Sequence, residues 1–322
     1  MTKFIVSGYV GFDNFGDEAI VSVLAKYLKE QNAEKITWIS SNPCKTAELY
    51  GINSVGMFNF FNALKESDVL ISGGGSLLQD ITSLKSLVYY VTIIALAILM
   101  NKKVIILAQG FSPFRTRIGE FLAKFVLKRC DYISVRDSGS QELLADWGIK
   151  SELVSDPVFG IEIPQTEHKG IGIQLRDFPN LTDEFLYKLA DFVSEKFKNE
   201  EIKLISLQDN YDLHILEKFA KILTDKNIKS YIVKNLSVEN AVKEISELKY
   251  LIGMRFHACL VGAKSSVNVL GINYDKKVEE LAKGINFPIV NLTNAENEDF
   301  DKIFSINPNE YNIPQIKFPK VN

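Results

Sequence analysis

Residues 68–80 read DVLISGGGSLLQD, a buried, β-branched strand that ends in three successive glycines. Three glycines in a row cost the folded chain considerable conformational entropy, which a simple turn would not require. We therefore expect a ligand or another backbone segment to come close to this turn. The alternative is a turn that only packs the end of a sheet.

Short β-branched runs alternate with amphipathic stretches of helix length on both sides of this strand. Strands are predicted near residues 4–7, 69–72, 104–108 and 132–135. Helices are predicted near residues 18–29, 84–100 and 118–129, followed by one opened by Ser138 with Gln141 at capping-box spacing. This alternation is typical of βαβ units with a parallel sheet, and it predicts one α/β domain.

The pattern lapses between residues 157 and 170, where glycine, proline and polar residues predict a linker. It then restarts, with strands predicted near residues 171–175, 203–207, 231–233, 250–253 and 267–271, and helices near residues 182–197, 212–223, 238–248, 256–263 and 277–283. The predicted domains are therefore residues 1–162 and 163–322, both α/β. Side by side, they would place the open ends of two parallel sheets across a cleft, where α/β proteins bind ligands.

Composition excludes several classes of protein. The 37 Lys and Arg residues against 40 Asp and Glu give a net charge of −3, without the basic excess that nucleic-acid binding needs. Cys44, Cys130 and Cys259 are widely spaced and form no Cys-x-x-Cys pair, which fits a reducing cytoplasm. No charged leader precedes the first strand, and the apolar run 87–100 is shorter than the roughly 20 residues that cross a bilayer. We expect a cytoplasmic protein with at most peripheral membrane contact.

A second glycine-containing stretch, GYVGFDNFGDE at residues 8–18, follows a strand and opens a helix. Its glycines permit close approaches that a β-carbon would forbid, so a ligand can rest on the loop. The spacing matches neither Gly-x-Gly-x-x-Gly nor a P-loop. The alternative is a tight strand-to-helix turn in which Asp17 caps the helix.

The third stretch places Arg255 and His257 where a predicted strand hands over to a helix. A helix N-terminus can hold an anion there beside a possible proton donor, with Arg176 as a companion cation. His168 lies in the linker and His214 in an amphipathic helix, so both are expected to be solvated. His257 alone has a chemical setting, the alternative being a packed or capping histidine.

Eight motifs in one order resemble the polysaccharide pyruvyl transferases. They are Gly-Tyr-x-Gly-x-x-Asn-x-Gly-Asp-Glu from Gly8, Gly-Gly-Gly-Ser-Leu-Leu-Gln-Asp from Gly73, Gln109-Gly110 with Pro113, Arg136-Asp137 with Ser140, Asp156-Pro157, Arg176, Met254-Arg255-Phe256-His257 and Tyr274-Asp275-x-Lys277. Two departures are visible, because Ser112 stands where a glycine is common and Lys276 where a proline is common.

The resemblance implies a GT-B-like fold of two Rossmann-like, doubly wound domains that face each other across a cleft. It implies transfer of the pyruvyl group of phosphoenolpyruvate onto a sugar of a cell-wall, capsular or exopolysaccharide precursor, as a cyclic ketal. The acceptor can be lipid-linked and would be met at the cytoplasmic face of the membrane. No cofactor and no metal are expected, and Asp299-Phe300-Asp301 is interpreted as a solvated helix start.

The residue types themselves indicate the two sides of the site. Phosphoenolpyruvate carries a carboxylate and a phosphate, which suit planar arginine forks, and a histidine can move a proton near neutral pH. The expected donor-binding residues in the second domain are Arg176, Arg255, Phe256, His257 and Lys277, with Lys276 as the alternative to Lys277, and the expected catalytic residues are His257 and Arg255. The expected acceptor-binding residues in the first domain are Gly11, Asn14, Asp17, Gly74, Gly75, Gln79 and Arg136.

Two other functions remain open from sequence. A GT-B glycosyltransferase that uses a nucleotide-sugar would share the fold, so the fold does not exclude it. A non-catalytic sugar-binding or sensor protein could use the same scaffold, although the histidine and the cations that such a protein would not need are present.

Overall fold

The computed structural model describes residues 2–81, 83–292, 299–316 and 318 of the chain. The chain divides into two compact α/β units. The first runs to Ile161 and includes the described residues from Gln315 onward, and the second is Glu162–Pro314.

The first unit is a parallel sheet with helices on both sides. Its strands are β1 (Lys3–Ser7), β2 (Lys35–Ser40), β3 (Asn53–Gly56), β4 (Val69–Gly73), β5 (Lys103–Gln109), β6 (Tyr132–Val135) and β7 (Glu152–Leu153). Its helices are α1 (Phe15–Glu30), α2 (Pro43–Tyr50), α3 (Phe60–Glu66), α4 (Leu84–Leu99), α5 (Arg117–Leu127) and α6 (Ser138–Asp146). Across the described residues the seven strands lie in the order β3-β2-β1-β4-β5-β6-β7, and each neighbouring pair is parallel.

The strand order reverses in the middle of this sheet. The chain moves outward from β1 to β3 and then returns to place β4 against the other side of β1, where Ser7 pairs with Ser72. The segments that leave β1 and β4 therefore diverge from neighbouring strand ends, which is the topological switch point where open α/β sheets bind ligands. Both glycine-containing stretches of the first domain lie at this point.

Two apolar layers hold the first unit together, one on each face of the sheet. Helix α1 packs Val21, Leu24 and Leu28 against β1 and β2, with Trp38 fully enclosed between them. On the opposite face, α4 and α5 bury an apolar layer against β4 and β5. Both faces of the central strands are therefore covered, which explains their nearly continuous apolar sequence.

The second unit repeats this architecture. Its strands are β8 (Lys169–Gln174), β9 (Ile202–Ile205), β10 (Ser230–Val233), β11 (Leu248–Gly253), β12 (Asn268–Asn273) and β13 (Ile289–Asn291), and its helices are α7 (Asp183–Lys196), α8 (Asp209–Asp225), α9 (Val238–Ser246), α10 (Phe256–Lys264) and α11 (Lys276–Ile285). The six strands found in the described ranges are parallel and follow the order β10-β9-β8-β11-β12-β13. The switch point lies between β8 and β11, where Gln174 pairs with Gly253.

The sequence pattern found most of these elements, and the predicted doubly wound α/β fold is confirmed. It did not identify β2, α2, β3, α3, β7 or β13. One cap differs from prediction, because Asp137 and not Ser138 caps α6 by accepting from Ser140 N–H. Helix α1 is capped by Asn14, so the alternative interpretation of Asp17 as its cap does not hold. Asp299 does begin a short 3₁₀ helix, as expected, by accepting a hydrogen bond from Asp301 N–H.

The C-terminal segment returns to the first unit, although the sequence boundary had placed it in the second domain. Ser155 Oγ donates to the carbonyl of Gln315 at 2.9 Å, and the ring of Phe318 stacks on Tyr27 with centroids 4.4 Å apart. Ile316 lies against Gly160, where a β-carbon would come within 2.7 Å of its side chain. Residues 311–316 have no regular secondary structure, so no periodic pattern in the sequence predicts that the segment packs on the first unit.

Candidate functional site

Three cations of the second unit come from three neighbouring strand ends. Arg176 follows β8, Arg255 follows β11, and Lys277 lies in the first turn of α11 after β12. Because these strands are adjacent and parallel, their carboxyl ends meet at one edge of the sheet. The donor residues predicted from sequence therefore share the switch-point edge of the second unit.

Arg176 and Lys277 lie beside the same aromatic ring, Tyr274. Arg176 Nη1 donates to the Tyr274 hydroxyl at 3.3 Å, with its guanidinium carbon 5.4 Å from the ring centroid, and Lys277 Nζ lies 5.5 Å from that centroid. In the structure as described, Arg176 Nε is buried without a hydrogen-bond partner and no carboxylate lies within 4.0 Å of its guanidinium. The nearest acid to Lys277 Nζ is Asp275 at 3.8 Å. Two weakly compensated cations at one place favour an anionic ligand.

Arg255 is placed differently, because a buried carboxylate compensates its charge. Its Nε lies 2.9 Å from Asp212 Oδ2, its Nη2 lies 2.5 Å from Asp212 Oδ1, and Nη2 also donates to Gln208 Oε1 at 3.2 Å. Asp212 is 0% exposed and Arg255 8%. These bonds fix the guanidinium plane, and among the described contacts Nη1 is the guanidinium nitrogen that makes none.

Asp212 belongs to a hydrogen-bond network that connects three segments of the second unit. Its Oδ2 accepts from the backbone N–H groups of Leu207 and Gln208 at 3.0 and 3.1 Å, just before α8. The backbone N–H of Arg255 donates to Gln174 Oε1 at 2.7 Å, which joins β11 to β8. Sequence analysis missed this network. The helical period does indicate that Asp212 is buried, because it places this residue on the stripe of α8 that faces the core.

His257 stands in the first turn of α10, two residues from Arg255. Its Nε2 atom is buried, and its ring meets the Phe256 ring edge-on with centroids 4.9 Å apart. The N-cap residue of α10 is Arg255, whose side chain does not cap the helix because it is turned to Asp212. The positive end of α10 therefore lies at the same sheet edge as the cations. By contrast, the His214 side chain is 83% exposed, as expected.

The glycines of the first unit are required by contacts within the protein. Gly11 has φ +83°, and a β-carbon there would lie 2.4 Å from Ser40 Oγ. Gly74 has φ +64°, and a β-carbon there would lie 2.6 Å from the Ile20 side chain. The close neighbour of Gly74 is a side chain of α1, whereas the triple glycine predicted a ligand or a backbone segment, and both backbone conformations disfavour any other residue.

The polar residues predicted for the acceptor lie at the same switch point. Asn14 Oδ1 accepts from Gly16 N–H at 3.1 Å, and Gln79 Oε1 accepts from Ile81 N–H at 2.7 Å. Asp17 lies in the first turn of α1, with Oδ1 3.1 Å from the β-carbon position of Gly75. The loop after β1 and the turn after β4 therefore touch.

Arg136 reaches the same turn from the end of β6. Its Nη1 lies 2.9 Å from Asp156 Oδ2, with the two side chains 5% and 2% exposed, and its Nη2 donates to Ser76 Oγ at 3.3 Å. Sequence analysis gave Asp156 no role, although it belongs to one of the family motifs. The structure explains that motif, because Asp156 holds the arginine that supports the glycine turn.

Glu18 is a further residue that sequence analysis left without a role. Its Oε1 accepts from Gly11 N–H and its Oε2 from the Tyr50 hydroxyl, both at 2.8 Å. Burial raises the pKa of Glu18 above the usual carboxyl range, while the hydrogen bonds from Tyr50 and Gly11 oppose that shift. Glu18 fixes the conformation of the loop that carries Asn14 and Gly11.

The described residues contain neither a metal-binding cluster nor a membrane-spanning helix. No group of three or more His, Cys, Asp or Glu side chains is arranged to hold a metal ion. No helix within the described ranges combines the length and the apolar character needed to cross a membrane.

Solved structures show the class to which the fold belongs. The UDP-GlcNAc 2-epimerase of Methanocaldococcus jannaschii matches with TM-score 0.65 and 12% identity over 95% of this chain and 91% of that one. The Neisseria meningitidis UDP-GlcNAc 2-epimerase bound to UDP-GlcNAc matches with TM-score 0.64 and 12% identity, covering 95% and 92%. Anabaena HepE in complex with UDP and glucose matches with TM-score 0.61 and 10% identity, covering 94% and 92%. At these identities the likeness shows a GT-B-like fold and nothing of the substrate.

The family follows from the sequence match. Residues 14–276 match the polysaccharide pyruvyl transferase family, which covers most of the chain. The chain therefore belongs to the polysaccharide pyruvyl transferases and is a transferase of polysaccharide biosynthesis. No curated protein matches it significantly.

Proposed function

We propose that the protein transfers the pyruvyl group of phosphoenolpyruvate to two hydroxyls of one sugar, forming a cyclic ketal and releasing phosphate. The observation that carries the proposal is the pair of cations at Tyr274. Arg176 has no carboxylate partner among the described residues, and Lys277 has only Asp275 at 3.8 Å. A small, doubly anionic donor would supply the charge that the protein leaves unmatched there.

The donor would bind at the carboxyl edge of the second sheet. Arg176 and Lys277 would meet its anionic groups, and the first turn of α10, at Phe256 and His257, would add the positive end of a helix dipole. Arg255 would contribute through Nη1, since Asp212 holds its other side. Lys277 rather than Lys276 is the lysine of this site, because its Nζ lies over the Tyr274 ring.

The reaction balances with one proton donor and two hydroxyls. A proton is added to the methylene carbon of phosphoenolpyruvate, which gives an oxocarbenium-like carbon that the first sugar hydroxyl attacks. The second hydroxyl then displaces phosphate from the same carbon, and its proton leaves with the phosphate. His257 would deliver the first proton and take one from an attacking hydroxyl, while Arg255 would stabilise the charge that develops.

The acceptor would bind at the switch point of the first unit. Gly11, Gly74 and Gly75 shape the backbone there, and Asn14, Asp17 and Gln79 bring amide and carboxylate groups that can bond sugar hydroxyls. Arg136 would act on the acceptor through the turn it supports at Ser76. We place the enzyme in the cytoplasm, acting on a precursor that can be lipid-linked, and the unpaired Cys44, Cys130 and Cys259 fit that compartment.

The direct test is incubation with phosphoenolpyruvate and a panel of hexose and amino-sugar acceptors. Phosphate release that depends on acceptor, together with a ketal methyl signal in the product, is the expected result. Turnover of a nucleotide-sugar with no response to phosphoenolpyruvate would instead show a GT-B glycosyltransferase. Saturable sugar binding without turnover of either donor would show a sugar-binding protein.

Adjacent lysines provide a matched control for the donor site. Lys277→Ala should raise the KM for phosphoenolpyruvate by roughly tenfold, since it removes one charge-assisted contact made before the transition state. Lys276→Ala changes an exposed lysine one residue away and should leave KM unchanged. Equal effects of the two substitutions on KM would contradict this assignment.

A further inference from the structure

The neighbouring helices α4 and α5 expose large apolar side chains to solvent. We call this surface the α4–α5 face, and it consists of Ile81, Leu84, Val88, Ile118, Phe121 and Phe125. Phe121 is 65% exposed and Ile118 64%. Single exposed apolar residues are ordinary, but a contiguous set of this size marks an interaction surface.

Helix α5 is apolar on two opposite sides. Ala123, Val126 and Leu127 are buried against the core, as the fold requires. Ile118, Phe121 and Phe125 follow one another at spacings of three and four residues, so they form one stripe that points away from that core. Folding of the first unit does not account for this second stripe.

The exposed residues of α4 continue this stripe. Strands β4 and β5 are neighbours and parallel, so the helices that follow them begin at the same edge of the sheet. Arg115 Nη1 donates to the carbonyl of Ile81 at 3.3 Å, and Gly119 lies against Leu87 of α4. The two helix starts are therefore in contact, and their apolar residues form one surface.

Positive charge surrounds the α4–α5 face. Segments 81–88 and 115–129 contain one acidic residue, Glu120, which pairs with Lys124 at 2.5 Å. They contain six basic residues, namely Lys85, Arg115, Arg117, Lys124, Lys128 and Arg129. The guanidinium carbon of Arg129 lies 3.9 Å from the centroid of the Phe125 ring, so a cation directly contacts the apolar surface. This excess is local, because the whole chain carries a net charge of −3.

We propose that the α4–α5 face docks the protein on an anionic phospholipid bilayer. A surface helix binds such a membrane through two attractions. Its apolar side chains insert among the acyl chains, and the surrounding Lys and Arg side chains bind lipid phosphates. A second copy of this chain is a poorer occupant, since pairing the face with itself would bring two positive surfaces together.

The position of the face relates it to the acceptor. Ile81 follows Asp80 directly, and Asp80 ends the glycine turn, so the docked protein would hold that turn at the membrane surface. This relation to a lipid-linked acceptor rests on the proposed function. Vesicle binding itself does not, because it requires neither phosphoenolpyruvate nor turnover.

The test is cosedimentation of the full chain with vesicles of phosphatidylcholine alone and of phosphatidylcholine with about one-third phosphatidylglycerol. We expect binding to the anionic vesicles, weakened several-fold when NaCl rises from about 0.1 M to about 0.5 M. Phe121→Ser with Phe125→Ser should lower the partition coefficient by roughly 100-fold, since each inserted ring contributes about tenfold. Arg117→Glu with Lys128→Glu should lower it by at least about tenfold.

Matched controls distinguish docking through the α4–α5 face from non-specific adsorption and from unfolding. Tyr187→Ser with Tyr231→Ser removes two exposed rings of the second unit and should sediment like the unaltered protein. Each variant should keep its thermal melting point and its turnover of a water-soluble acceptor. Loss of turnover with vesicle binding intact would count against the pyruvyl reaction and not against docking.

Two results would overturn the proposal. One is equal sedimentation of the Phe121 and Phe125 double variant and the unaltered protein. The other is a dimer in solution that the same double substitution converts to a monomer, which would make the face a contact between copies of this chain.

Discussion

Replacing either member of the Asp212–Arg255 pair should destabilise the second unit far more than replacing both. Arg255→Met leaves a carboxylate that is 0% exposed without its cation, and Asp212→Asn turns an amide toward a guanidinium that is 8% exposed. Removing one partner of a buried pair costs about 3–5 kcal/mol. For a unit of this size, about 3 kcal/mol lowers the melting temperature by roughly 6–12 °C.

The double variant Asp212→Asn, Arg255→Met removes both charges together. It should recover most of the loss and be more stable than either single variant, because no uncompensated charge stays buried. The effects of the two substitutions on stability should therefore be far from additive. Activity should behave differently. Arg255→Met and the double variant should both lose about 30-fold in kcat/KM for phosphoenolpyruvate, the value of one hydrogen bond from a charged group.

Thermal melting and urea unfolding of the four proteins give the stability cycle, and phosphate release below the lowest melting point gives activity. A double variant no more stable than the less stable single variant would refute the expected recovery, and with it the interpretation of the 2.5 and 2.9 Å contacts as a buried ion pair whose halves depend on each other. Restored activity in the double variant would show that Arg255 acts only within the fold.

Two further predictions concern other positions. His257→Ala should lower kcat by ~10²–10⁴ with little change in donor KM, measured by phosphate release, because it removes the proposed proton shuttle and leaves the cations; near-normal turnover at saturating donor would make the histidine structural. Gly74→Ala should cost about 2–4 kcal/mol in urea unfolding, since it adds a clash with Ile20 to the strain of φ +64°. Gly148→Ala, at φ +69° with no atom within 4 Å, should cost only the strain, about 1 kcal/mol, and equal losses at the two sites would contradict the packing argument.

Local pattern was enough to predict most of the elements that the core surrounds, although it missed β2, which is buried from Ile36 onward. Strands β1, β4, β5 and β6 are short runs of buried apolar residues, and the helices that follow them show the helical period. Edge strand β3, by contrast, reads Asn-Ser-Val-Gly and is only partly buried, so neither alternation nor a continuous apolar run marks it. The flanking helices α2 and α3 bury Thr46 and Leu64 respectively and little else, so no apolar stripe marks them either.

The candidate site was predictable in its residue types and in part of its placement. The position of Arg255 and His257 at a strand-to-helix junction was predictable from local pattern, since it depends only on neighbours in the chain. The position of the glycine stretches after strands was predictable in the same way. Hydrogen bonding within one loop is equally local, although the cap depends on where the helix begins: α1 begins at Phe15, so Asn14 and not Asp17 is its cap.

Which charges are compensated depends on the packed fold and could not be predicted from local pattern. Asp212 lies 43 residues from Arg255, and Asp156 lies 20 residues from Arg136. Contacts at such separations are set by the order of strands in the sheet, which brings β8, β9 and β11 together and is not encoded in any single periodic segment. The same holds for α5, whose two apolar stripes look alike in sequence, because only packing against the sheet determines which one is buried and which one faces solvent.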